Sequence, residues 1–282
     1  MTMPQTGFYR SIGRQGTRLS LSGQARNLLL LAIGIQIAFL IPSAIAYAVD
    51  ERLLNDVSVW SKPVKFQLSI ILTLGTAMLL LPLLDDAARA TRTIRGASLV
   101  MAIASTLEIV YIVLQAARGR ASHFNDTTPL ETILYALMGI GAVSIVAGAF
   151  VIGWMIWRRG RTDMGEGLRW GAAWGLMIGA VLTVITAGVM SSGAITEPGH
   201  WVGGIRSDAN GLFLFGWSRT GGDLRAPHFF ATHIMQGLPI LGLLLDRFAP
   251  ARARTGILVG AVASILIVAA TFMQAAMGMP FL

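Results

Sequence analysis

The sequence has no cysteine, only two lysines and few charged residues of either sign. Charged residues make up 13% of its 282 residues, whereas hydrophobic ones make up 54% and the mean hydropathy is +0.66. A soluble globular chain carries roughly 25% charged residues. The composition therefore excludes an ordinary soluble domain and predicts a membrane protein.

These absences also exclude several kinds of chemistry. Without cysteine there is no thiolate metal centre, iron–sulfur cluster, covalent c-type haem or disulfide. The lysines, Lys62 and Lys65, follow no glycine-rich run and lie outside the deep apolar segments, which argues against a P-loop and a retinal-type Schiff base. The H-E-x-x-H, G-x-S-x-G and G-x-G-x-x-G motifs do not occur.

Seven apolar runs are long enough to cross a bilayer, which takes about 20 helical residues. They predict an all-α polytopic fold in a single membrane domain, residues 27–282, behind an N-terminal tail, residues 1–26. The predicted spans are Asn27–Val49, Phe66–Leu84, Ala97–Ala117, Leu130–Trp157, Trp170–Met190, His228–Leu245 and Ile257–Met279.

The basic residues lie mainly on one side of these spans. The tail and connections 85–96, 158–169 and 246–256 hold fourteen basic and five acidic residues, against eight basic and nine acidic elsewhere. The positive-inside rule then predicts a cytoplasmic N-terminus and an extracytoplasmic C-terminus in the inner membrane of a bacterium. The high pI reflects topology, so the bilayer is the expected partner and nucleic acid is not. A signal cleavage after Ala48 is the less favoured alternative, because the leader before Asn27 is long.

Two halves of the chain share short motifs. Gln115-Ala116-Ala117-x-Gly119 recurs as Gln274-Ala275-Ala276-x-Gly278, and Trp60-Ser61 recurs as Trp217-Ser218. We therefore expect two parallel three-helix repeats, residues 27–117 and 162–282, joined by a linker helix within 118–161. This 3+1+3 layout resembles the SWEET transporters in architecture only, because the orientation is opposite and no sequence motif is shared.

Glu108 is the most informative ionisable residue, because it lies near the middle of the third predicted span. A carboxyl group at that depth costs several kcal/mol and is expected to face the bundle interior with a partner. Its repeat counterpart is Ile267. Tyr111 and Gln115 lie one and two turns further along, so we predict a polar stripe from Glu108 toward the extracytoplasmic side. The structural alternative is a protonated glutamate that bonds to a neighbouring helix.

All four histidines lie at or near the predicted extracytoplasmic side. We treat His123, His200, His228 and His233 as candidate metal ligands, since imidazole suits zinc, copper and haem iron. His228 and His233 are about 140° apart around a helix, so one metal on both is difficult to arrange, whereas His233 and Gln236 share a face. Neutral histidines bonded to neighbouring groups are the structural alternative.

Two further patterns predict packing and helix ends. Gly171, Gly175 and Gly179 recur every fourth residue in the fifth span, which indicates close packing against another helix. Glu131 lies in the first turn of the fourth span, where the helix dipole favours an acid.

Two stretches carry a resemblance to known sequences. Ser122-His123-Phe124-Asn125 and Asp223-Leu224-Arg225-x-x-His228-Phe229-Phe230-x-x-His233 resemble uncharacterised bacterial multi-pass membrane proteins. The resemblance covers only these short stretches and implies the membrane class alone.

Three functional hypotheses follow. The first is an outward-opening site that binds haem or a divalent metal, with Glu108 and His233 as the catalytic or proton-relay groups and Arg225 as a contact for an anionic small-molecule ligand. The second is a small-solute or proton-coupled transporter, supported by the repeat and by Pro42, Pro82 and Pro239 in three spans. The third is a non-catalytic subunit of a homo-oligomer or membrane complex.

Overall fold

The computed structural model describes the backbone of residues 6–282 and the side chains of residues 23–282. Within this part of the chain, seven helices are long and apolar enough to span a membrane, so the all-α polytopic fold is confirmed. The long helices are α1 (Thr6–Val49), α2 (Ser61–Leu80), α4 (Arg92–Ala117), α5 (Pro129–Arg159), α6 (Glu166–Ser192), α7 (Arg225–Phe248) and α8 (Ala253–Ala276). The remaining elements are α3 (Asp86–Arg89), 3-10 turns Leu81–Leu83 and Pro250–Arg252, and strands β1 (Leu53–Leu54), β2 (Val57–Ser58), β3 (Trp201–Val202) and β4 (Gly222–Asp223).

The helices extend beyond most of the apolar runs, because their first turns are polar. Threonine side chains cap the N-termini of two of them. Thr91 accepts a hydrogen bond from the amide of Ile94 in α4, and Thr128 accepts one from the amide of Glu131 in α5. The predicted tail, residues 1–26, is helical from Thr6 onward, and its first five residues lie outside the described part.

The seven long helices pack as two groups joined by α5. Helices α1, α2 and α4 contact one another, as do α6, α7 and α8, and α5 packs against α4 and α6. The two groups also meet directly where α2 contacts α7. This grouping is the one that the 3+1+3 arrangement requires, although the duplication itself stays a prediction.

The shared motif forms the same helix end in both groups. Gly119 after α4 and Gly278 after α8 adopt φ angles of +66° and +73°, which glycine tolerates best. The side-chain amides of Gln115 and Gln274 each donate to the carbonyl six residues further on, at 3.1 Å and 2.7 Å. The same residue pattern therefore produces the same backbone and side-chain cap twice.

Connections at the two ends of the bundle differ in composition. We call one end the histidine end; it comprises residues 50–60, 118–128, 193–224 and 277–282. The other, the arginine end, comprises residues 84–91, 160–165 and 249–252. At the histidine end β1 pairs with β2 in a short hairpin, and β3 pairs with β4 to close the long connection 193–224.

The glycine pattern of the fifth span is confirmed as a close helix contact. A Cβ atom added at Gly171 would lie 2.3 Å from the carbonyl oxygen of Leu238 on α7, and one at Gly179 would lie 2.6 Å from a side chain of α7. At Gly175 the corresponding distance to an α7 carbonyl is 3.0 Å. Only residues without a side chain let the two backbones approach this closely.

We predict that Gly171→Ala destabilises the protein by about 1–3 kcal/mol, because the added methyl group forces α6 and α7 apart. Thermal unfolding in detergent measures this as a lower melting temperature. Gly188→Ala is the matched control on the same helix, since an added Cβ there meets nothing within 4 Å. Equal melting temperatures for the two variants would contradict the close contact.

Candidate functional site

Glu108 is buried where α4, α5 and the connection 118–128 meet. Its residue exposure is 3%, and its Oε1 lies 3.7 Å from Nε2 of His123. A Cβ atom added at Gly141 on α5 would lie 3.1 Å from Oε2, so this glycine makes room for the carboxyl group. The 3.7 Å between Glu108 and His123 exceeds the hydrogen-bonding range, and the carboxyl group accepts no hydrogen bond from any other described residue.

His123 reaches Glu108 from a connection and is enclosed by aromatic rings. Its ring centroid lies 5.4 Å from that of Phe66 on α2 and 5.9 Å from that of Tyr135 on α5. Burial and the positive charge of Lys62 lower the pKa of His123 well below its usual range. The imidazole is therefore neutral at pH 7 in this arrangement.

Lys62 is a site residue that the sequence interpretation missed. It lies in the first turn of α2, with Nζ 5.5 Å from the ring centroid of Phe66. Its charge interacts with Glu108 on one side and with Arg225 and Asp208 on the other. The available signal was that the only two lysines lie three residues apart, on one face of a helix end.

A second polar cluster surrounds Arg225. The guanidinium group contacts Asp223 at 2.6 Å and Asp208 at 2.8 Å, and His200 Nε2 lies 3.4 Å from Asp208. Arg225, predicted to bind an anionic ligand, is thus neutralised by carboxylates of its own chain. The two aspartates were not among the predicted site residues, because only the folded connection brings Asp208 beside Arg225.

Burial and bonding set the ionisation of this second cluster. Burial lowers the pKa of His200, although the hydrogen bond to Asp208 opposes the effect. Burial acts to raise the pKa of Asp208, but the His200 hydrogen bond and the Arg225 charge hold that pKa below its ordinary value. His200 is therefore neutral and Asp208 ionised at neutral pH.

The connection 193–224, which we call the cap segment, joins the two helix groups across the histidine end. Lys65 Nζ donates to the carbonyl of Phe215 at 3.0 Å, and the amide of Asp208 donates to the carbonyl of Asn55 at 3.1 Å. These two partners of the cap segment are Lys65 on α2 and Asn55 in the β1–β2 hairpin, and both belong to the first helix group, which consists of α1, α2 and α4. The cap segment therefore covers the histidine end from one group to the other.

His228 and His233 have different hydrogen-bond partners. His228 Nδ1 lies 3.0 Å from the hydroxyl of Thr186 on α6. His233 Nδ1 lies 3.1 Å from Gln236 Oε1, and Gln236 Nε2 donates to Thr76 on α2 at 3.0 Å. His233 and Gln236 do share a face, as predicted, and they form a polar link between the two helix groups.

The structure does not assemble the predicted histidine metal site. In the part of the chain that it describes, no group of three or more His, Cys, Asp or Glu side chains is placed to hold a metal ion. The physical reason is that each histidine lies beside a different polar side chain and no third ligand among the described residues joins any pair of them. These pairs are His123 with Glu108, His200 with Asp208, His228 with Thr186, and His233 with Gln236.

Tyr111 and Gln115, the other two residues of the predicted stripe, are hydrogen-bonded to each other. Gln115 Nε2 donates to Tyr111 Oη at 3.1 Å and to Glu131 Oε1 at 3.3 Å. Arg120 pairs with Glu131 at 3.0 Å, so Glu131 is buried in an ion pair as well as lying in the first turn of α5. Gln115 therefore contacts α5 through Glu131, one helical turn beyond Tyr111 and two beyond Glu108.

No protein-family model matches the chain, and comparisons with curated proteins and with solved structures give no match. The function must therefore be inferred from the geometry of these two clusters.

We predict that acidification weakens the anchoring of the cap segment through His200. Because burial lowers its folded-state pKa below the ordinary 6.5, the neutral form is favoured by folding, and stability falls as the pH drops below 6.5. The effect reaches at most about 1.4 kcal/mol per pH unit. Asp208 titrates in a separate window, below its ordinary value of 3.8.

Melting temperatures from about pH 7 to about pH 5 measure this effect. The His200→Gln variant should lose less stability than the wild type over that range, because it has no proton to take up at this position. Parallel melting curves for the two proteins would show that His200 contributes nothing to the pH dependence.

Proposed function

We propose that this protein is a proton-coupled carrier of a small solute, with Glu108 as the proton-binding group. It lies in the inner membrane of a bacterium with the N-terminus in the cytoplasm, so that the histidine end faces outward. The excess of arginine at the opposite end supports this orientation.

The single observation that carries the proposal is the environment of Glu108. Its carboxyl group is buried in a membrane-spanning helix, has no hydrogen bond among the described residues, and lies 3.7 Å from the His123 imidazole. A carboxyl group that serves only to hold helices together is expected to bond to its neighbours. A proton-binding group instead needs partners whose attraction changes when the proton arrives.

Proton binding at Glu108 has a structural consequence in this arrangement. The ionised carboxylate attracts Lys62 in the first turn of α2, whereas the neutral acid does not. Because Lys62 lies where α2 begins at the histidine end, protonation of Glu108 weakens the attraction between α4 and that end of α2. The charge of one buried group is thus coupled to the contact between two helices at the outer surface.

The contact between the helix groups supports movement of one against the other. Apart from α5, the groups meet directly at α2 and α7, where Thr76, Gln236 and His233 form a polar link. Pro42 and Pro239 lie inside α1 and α7 and remove a backbone hydrogen bond from each. Carriers built from two helix bundles work by rocking one bundle against the other.

Reconstituted vesicles test the proposal. Vesicles that contain the pH indicator pyranine receive outward gradients of single sugars, amino acids, carboxylates and inorganic cations in turn. We expect at least one solute to change the internal pH in vesicles with the wild-type protein and not in empty vesicles. Glu108→Gln should abolish the pH change, because the amide cannot carry a proton at neutral pH.

Glu51→Gln is the matched control, since Glu51 is exposed and lies in a connection at the histidine end. It should retain the wild-type signal. The proposal fails if no solute in the panel moves protons, or if Glu108→Gln moves them as fast as the wild type does.

A second prediction uses the space beside the carboxyl group. In Gly141→Ala the new methyl group lies about 3.1 Å from Glu108 Oε2 and forces the carboxyl group to shift. An off-rotamer side chain costs about 0.5–1.5 kcal/mol, so we expect proton-coupled flux to fall about two- to tenfold. Gly139→Ala on the same helix meets nothing within 4 Å and should transport normally. Equal proton-coupled flux through the Gly141→Ala and Gly139→Ala variants would contradict the role of Gly141 in making room for the Glu108 carboxyl group.

The other two hypotheses predict different observations. A haem or metal protein shows a Soret band or stoichiometric metal after purification, whereas a carrier shows neither. A non-catalytic subunit loses stability in Glu108→Gln but has no solute-dependent proton flux to lose.

A further inference from the structure

A groove between α7 and α8 opens on the outside of the bundle at the arginine end. Its volume is about 530 Å³. The residues that line it are Leu245, Ala249, Arg252, Thr255, Gly256 and Val259. It lies far along α7 from the histidine end and contains none of the residues of the two clusters described above.

The groove combines apolar walls with a positive charge at one end. Thr255 and Val259 lie four residues apart on one face at the start of α8, and Arg252 is the residue that precedes this helix. Arg252 is exposed and has no acidic partner among the described residues. The nearby acid, Asp246, accepts the amides of Gly167 and Leu168 at 2.7 Å each and is thereby committed to the start of α6.

An aromatic side chain places this groove near the membrane surface. The Arg254 guanidinium lies 4.9 Å from the ring centroid of Trp170, and Trp170 begins the apolar part of α6. Tryptophan and arginine occur together where a helix leaves the hydrocarbon layer. The apolar end of the groove therefore faces acyl chains, and its charged end faces the headgroups.

We propose that this groove binds an anionic phospholipid. The phosphate accepts hydrogen bonds from Arg252 and Thr255, and an acyl chain lies along Leu245 and Val259. A lipid that is negative overall is favoured over a zwitterionic one, because the described lining residues include an arginine and no carboxylate to receive a headgroup ammonium. A soluble phosphate would use only the charged end, so the apolar walls favour the lipid.

Lipid-dependent melting of the delipidated, detergent-purified protein tests this site. Phosphatidylglycerol should raise the melting temperature, with phosphatidylcholine and inorganic phosphate having less effect. In Arg252→Gln the apparent affinity for phosphatidylglycerol should fall about fivefold, the effect of one arginine near a membrane surface. Arg92→Gln, an exposed arginine at the same end but outside the groove, is the matched control and should keep the wild-type affinity.

Three outcomes overturn the proposal. They are equal stabilisation by phosphatidylcholine, full stabilisation by inorganic phosphate alone, and equal affinity for phosphatidylglycerol in Arg252→Gln and Arg92→Gln. None of these outcomes depends on transport, so the lipid site is tested independently of the proposed carrier function.

Discussion

A carboxyl group inside a membrane-spanning bundle must be protonated or have a partner of opposite charge, and Glu108 is the residue on which this constraint acts. It lies nine residues from the end of α4, or about 14 Å along the helix. Lys62 of α2 supplies the opposite charge, the neutral His123 approaches from a connection, and Gly141 of α5 leaves room for the carboxyl group. Three separate elements thus converge on one group near the histidine end.

The two lysines connect this group to the second polar cluster. Lys62 interacts with Glu108 and with the Asp208–Arg225 pair, while Lys65 holds the carbonyl of Phe215 in the cap segment. A change of charge at Glu108 therefore alters the electrostatic interactions of residues in both helix groups. In a medium of low dielectric such interactions act over longer distances than they do in water. The cap segment and the buried acid are for this reason parts of one electrostatic system.

The sequence alone was sufficient to predict features that depend on the residue pattern along a single helix. The seven spans, the burial of Glu108 and the close contact at Gly171 each follow from apolar length, an isolated charge or glycine spacing, and each is found in the structure. It was not sufficient to predict which residues of the connections pair with residues of the helices. A connection has no periodicity from which its path can be predicted. The pairing of His123 with Glu108 and of Arg225 with Asp208 both depend on such paths.

The difference between the two helix groups has a physical explanation in the packing of the linker helix. The helix ends at Gln115 and Gln274 carry the same cap, so α4 and α8 match there. The predicted repeat aligns Glu108 of α4 with Ile267 of α8. Helix α5 covers α4 on the Glu108 side, whereas Ile267 is 48% exposed on the surface that faces lipid. An acid at 267 would be unshielded in hydrocarbon, and an acid at 108 is enclosed by α5 and His123. Helix α5 is therefore what permits the first group, and not the second, to hold a buried ionisable residue.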